Sequence, residues 1–99
     1  MTQQLKGGHF ARQAAMLCQD VEFRLYLDRR RRYELGMSEA ALPDGTHNTQ
    51  DARDWLIAAC GVESRAMLDH DIEASRTFRK IRNHFNRWRA KEARRSAGA

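Results

Sequence analysis

The stretch that decides the fold is residues 72–88, IEASRTFRKIRNHFNRW. Ala74, Phe78, Ile81, Phe85 and Trp88 recur in it at steps of four, three, four and three. That is heptad spacing, and it lays one aromatic-rich apolar stripe along a helix. Asp69 and Asp71 compete to cap its start, and the pattern predicts a helix over about residues 72–93. Upstream, a second well-marked helix is predicted over residues 49–60. Thr49 or Asn48 caps it, Asp51 puts a negative charge in its first turn, and Gly61 stops it. Ala52, Trp55, Leu56 and Ala59 form its core-facing stripe, and Ser64 caps a short turn through Leu68.

The N-terminal half follows the same rules. Phe10, Ala14 and Leu17 set the stripe of a first helix over about residues 8–18. Gln19-Asp20 is a break, with Asp20 placed to cap a helix over about residues 21–33. Phe23, Tyr26, Leu27 and Arg30 share one face of that helix, and Arg29, Arg30, Arg31 and Arg32 sit at its C-terminal end, where cations complement the dipole. Between residues 35 and 49 lie Gly36, Pro43, Asp44-Gly45 and Asn48, all turn formers, with a short helical turn expected near Ser38. A connection of about 15 residues is long for a small domain, so it is expected to be functional or mobile. No strand pattern competes with these periodicities. The expected fold is all-α: a compact bundle of four main helices in one domain, residues 1–99, with a long basic C-terminal helix and frayed ends at 1–7 and 94–99.

The charge is uneven. The 99-residue chain carries +5, but residues 72–99 alone hold nine cations against Glu73 and Glu92. The first 71 residues hold nine cations and eleven anions. A slightly acidic body therefore carries a C-terminal helix of +7, with a second cluster from Arg24 through Arg32. Fifteen of the 18 cations are Arg, a bias that suits bidentate contact to phosphate or carboxylate. The 41% hydrophobic content is too high for a wholly disordered chain. No apolar run approaches the roughly 18 residues of a membrane span, and the first residues lack a hydrophobic signal core, so a cytoplasmic protein is expected. In a reducing compartment Cys18 and Cys60 are expected as small buried side chains rather than a disulfide.

Motifs that would carry chemistry are weak. Residues 56–68 have the outline of a helix-turn-helix, with Gly61 in the turn. However, Arg65 alone faces Asp69 and Asp71 on the supposed reading helix, a balance that phosphate would repel. An ordinary corner between helices, ended by a Schellman-type glycine, is the preferred reading. His9, His47, His70 and His84 form no ligand spacing with the two cysteines, and no metal or cofactor is expected. Nothing pairs a nucleophile with a base, and Gly7-Gly8 is no phosphate loop, so no enzyme is expected. The narrow, heptad-spaced stripe suits a protein partner better than a lipid surface.

Residues 60–88, CGVESRAMLDHDIEASRTFRKIRNHFNRW, together with residues 11–27, ARQAAMLCQDVEFRLYL, resemble small helical proteins of phages and prophages. The shared pattern is a Cys-Gly turn, Ser-Arg, Leu-Asp, and a helix closing in Phe-x-x-Trp. The resemblance implies an accessory role during infection, in nucleic-acid handling or in blocking a host defence complex, and it transfers no functional residue. The residues themselves point to a non-catalytic protein that binds nucleic acid or a nucleoprotein through Arg29, Arg30, Arg31, Arg32, Arg76, Arg79, Lys80, Arg82, Arg87 and Arg89. The alternative expectation is an inhibitor or adaptor of the anti-CRISPR type, docking on an acidic protein surface with Tyr26, Tyr33 or Trp88 as anchors. The heptad stripe also fits a homodimer.

Overall fold

The computed structural model describes residues 7–98, which form four α-helices: α1 (His9–Gln19), α2 (Val21–Leu35), α3 (Thr49–Cys60) and α4 (Ile72–Gly98). A short 3-10 segment, Arg65–Asp69, precedes α4. No strand occurs among the described residues. Expected fraying at 1–7 lies outside them, Gly7 excepted. At the other end the chain stays helical to Gly98, beyond the stop expected near Ala93. Ala90 to Ala97 contains no helix breaker, and Arg95 pairs with Glu92 one turn back at 3.2 Å, so nothing ends the helix earlier.

The helix ends obey local rules. Asp20 both closes α1 and caps α2, accepting from the Glu22 amide at 2.8 Å. Asn48 and Asp51 form a reciprocal capping box at the start of α3. Gly36 and Gly61 adopt left-handed conformations at the ends of α2 and α3. Each sits in a complete Schellman motif, with Met37 donating to the Arg32 carbonyl and Val62 to the Ile57 carbonyl, both at 3.0 Å. The corner at Gly61 therefore leads into five residues of 3-10 helix rather than a reading helix, and the helix-turn-helix outline is not realised. Ser64 opens that segment through its carbonyl, not through a side-chain cap.

The stripe of α4 supplies the core. Phe78 and Phe85 are fully buried, with Ala74 at 2% exposure, and Ile81 and Trp88 pack alongside. Phe85 meets Phe23 edge-on at 5.3 Å and Tyr26 at 5.7 Å, while Phe78 meets Phe10 at 6.1 Å. Leu27, Leu56, Leu68, Ala52, Ala14 and Cys18 fill the space between the helices. Because the stripe is used within one chain, α4 offers no apolar seam for a homodimer among the described residues.

Two aspartates tie distant segments together. Asp69, expected as a cap for α4, instead caps α1: its carboxylate accepts from the Gly8, Phe10 and Ala11 amides at 2.7, 2.9 and 3.0 Å. The cap of α4 is Asp71, bonded to the Ala74 amide at 3.1 Å. Asp28, fully buried on α2, accepts from the amides of Gly45 and His47 at 2.8 and 2.9 Å and from His47 Nδ1 at 2.5 Å. Arg32 adds bonds to the Leu42 carbonyl and to Asp44. The long connection is thus anchored to α2 by its buried carboxylate and Arg32. Its expected helical turn forms, with Ser38 accepting from Ala41 and Leu42.

Burial alone would push both carboxyls up. The bonds from the His47 ring and two amides outweigh this at Asp28, and three amides with the nearby His70 do so at Asp69, so both lie below the usual carboxylate range. A folded-state pKa below the unfolded one stabilises the fold above about pH 4 and loses that effect as pH falls through the lowered value. Urea titration should therefore show stability falling steeply below about pH 4, with a flatter acid limb in Asp28→Asn and Asp69→Asn. At neutral pH, Asp69→Ala is expected to cost about 1–2 kcal/mol as a lost cap. Asp28→Ala, which strands three part-buried donors, should cost about 1–3 kcal/mol and open residues 37–47 to proteolysis.

Candidate nucleic-acid interface

The seating of α4 determines where its cations go. Successive residues turn by about 100°, so those half a turn from the Phe78–Phe85 stripe face solvent. Arg76, Lys80, Asn83, Arg87, Lys91 and Arg94 recur on that outer side at steps of four, three, four, four and three, and all six are exposed. The row is about 27 Å long at 1.5 Å per residue. Lys80, Arg87, Lys91 and Arg94 make no hydrogen bond or ion pair among the described residues. Arg76 pairs with Glu73 at 3.1 Å across an open surface, a contact worth little in water. Glu92, the other acid of α4, lies off the row and is held by Arg29 at 2.9 Å.

Other sequence candidates are committed elsewhere. Arg79, Arg82 and Arg89 flank the stripe and lie over the rings of Phe10, Phe78 and Phe85 at 5.1, 5.6 and 5.0 Å. Arg82 also donates to the Gln13 side chain, and Arg89 to Asn86 at 3.0 Å. These contacts cover the aromatic core with charged side chains and fix α4 against α1.

The Arg29–Arg32 run separates. Arg29 bonds Glu92 and stacks over Trp88. Arg30 bonds Glu34 at 3.0 Å and the Tyr26 hydroxyl at 3.4 Å and lies over Trp55. Arg32 is 14% exposed at its side chain and serves the 42–44 turn. Only Arg31 of the four has no such partner, and it borders a groove shared with His47, Asp51 and Asp54, on a different side of α2 from α4. Of the α2 run, Arg29 shares a groove with Trp88 and Arg89 of α4, whereas Arg31 borders a separate one.

Of the expected anchors, Tyr26 is in the core at 9% exposure and unavailable to a partner. Trp88 is half-buried at the core edge, 5.4 Å from Tyr26 and stacked with Phe85. Tyr33 is 90% exposed. Lys91 and Arg94, missed as site residues, complete the outer row. Steps of four and three carried along the outer row past Arg87 reach them.

The remaining reactive groups are quiet. Cys18 and Cys60 are free thiols; burial pushes both up, Cys60 to about 11, with Arg65 and Arg53 only partly offsetting this at Cys18. No group of His, Cys, Asp and Glu able to hold a metal occurs among the described residues, and no helix among them is long and apolar enough to cross a membrane. Comparison with protein-family models, curated proteins and solved structures yields no match. Raised thiol pKa values predict slow alkylation: native Cys60 should react with iodoacetamide at pH 7.5 at least about tenfold more slowly than in the urea-unfolded chain.

Proposed function

We propose that the protein is a non-catalytic accessory protein that binds nucleic acid through the outer row of α4. The observation that carries this reading is the sorting of charge on one helix. Cations near the core are stacked or paired, both acids are paired with arginines, and five cations line the exposed side over about 27 Å. Neutralising phosphates with these side chains releases counterions, a contribution that needs no enclosed cavity and little base reading. The resemblance to phage and prophage proteins fits such a role during infection.

Titration of labelled duplex and single-stranded nucleic acid at several salt concentrations tests it. Five phosphate contacts predict a slope of log K against log salt of about −4.5 on duplex. Lys80→Glu with Arg87→Glu should weaken binding about 10²-fold at low salt. Arg30→Gln, whose guanidinium is used internally, should lower stability and leave affinity within about twofold. Absence of binding at low salt, or affinity indifferent to salt, overturns the reading.

Tyr33 favours a second reading. It is 90% exposed near the end of α2, suited to anchoring a protein partner whose carboxylates would meet the arginines. An inhibitor or adaptor of that kind would keep its partner after nuclease treatment and lose it in Tyr33→Ala.

A further inference from the structure

We infer that α4 enters the major groove of B-form duplex DNA, with Asn83 at the centre of the contact reading adenine. This rests on the nucleic-acid reading above and names the substrate class and a specificity-determining residue for the same surface.

The first observation is what the outer face lacks. Single-strand binding draws much of its affinity from bases stacked on exposed aromatic rings. Phe78 and Phe85 are buried, Trp88 is turned against Tyr26 and Arg29, and Tyr33 stands on another helix, so no Phe, Tyr or Trp ring accompanies the row, which is flanked only by the small His84 imidazole. A phosphate-lined groove is then the better match. An α-helix about 10–12 Å across fits the B-form major groove, about 12 Å wide, whereas the A-form groove of duplex RNA is too deep and narrow.

The second observation is the position of Asn83. It lies two residues from both Ile81 and Phe85, about 200° around the helix from each, and so points straight away from the core. Lys80 and Arg87 stand one turn to either side, long enough to reach the groove walls while the shorter amide faces the floor. Its carboxamide is exposed and makes no hydrogen bond among the described residues. Asn86, by contrast, already accepts from Arg89. A free carboxamide at the deepest point of a groove-bound helix can accept from adenine N6 and donate to N7, the bidentate pairing that singles out adenine.

The test compares anisotropy titrations of the full chain on a DNA duplex, the matching RNA duplex and the single strand, followed by selection from randomised DNA duplexes. The DNA duplex is expected to bind at least about tenfold more tightly than the other two, and the selected sites to share an adenine. Asn83→Ala, an exposed change to a better helix former, should lose at least about fivefold discrimination at that adenine while the salt slope persists. Arg87→Ala should weaken all sequences and reduce the slope by about one. Equal, salt-dependent affinity for the three nucleic acids, or a preference untouched by Asn83→Ala, overturns this inference and leaves the electrostatic reading intact. No salt-dependent binding to any of them overturns both.

Discussion

The structure depends on the seating of Phe85. Its ring is enclosed by Phe23, Tyr26 and Trp88 at centroid distances of 5.3, 5.7 and 6.2 Å, joining α4 to α2 at the centre of the core. Burying such a ring stabilises the fold by about 2–3 kcal/mol from apolar area, and edge-to-face contact with Phe23 adds to it. More consequential is the rotation it imposes. A slip of one residue along α4 would turn the helix by about 100° and bring a charged or polar side chain to each buried position. The register is therefore over-determined, and with it the direction of every cation on the helix.

That rotation divides a uniform-looking run of arginines into three environments. Those beside the stripe lie on aromatic faces, where guanidinium is less costly to dehydrate than ammonium and gains from the ring quadrupole. Those on α2 that face the loop or α4 meet Asp44 and Glu92. Those half a turn away are exposed, and of them only Arg76 has an acidic partner, Glu73, among the described residues. The first two groups hold the fold and the third leaves a field. Structural need for arginine and a charged surface are thus separate properties of the same composition.

Local physics made the four helices, their caps and the α4 stripe legible from residue order. Asp20, Asn48, Asp71, Gly36 and Gly61 each act on amides or carbonyls within a few positions. Asp28 and Asp69 do not: their partners lie 17 and 19 residues away in one case and 58 to 61 in the other. No period or turn signal carries such a pairing. The only sign was a carboxylate beside Leu27 on the apolar side of α2, with Gly45 and His47 far downstream. The Arg29–Arg32 run is read differently for the opposite reason: adjacency in sequence places neighbours about 100° apart on a helix and gives each its own surroundings.

The same caps bear on the electrostatics of the outer row. An acidic body could in principle cancel a basic helix at short range. Here the acids are drawn to helix N-termini, where Asp20, Asp51, Asp69 and Asp71 offset the partial positive charge of unpaired amides. Their charge is thereby taken up locally, on the body side of the molecule. At the far end of α4 the helix dipole is negative, and Arg95 stands in that last turn to counter it. The row from Arg76 to Arg94 thus meets acids only at its N-terminal end, where Asp71 caps α4 and Glu73 pairs with Arg76. From Lys80 to Arg94 the row carries cations with no acidic partner among the described residues, the arrangement a polyanion's regularly spaced charges require.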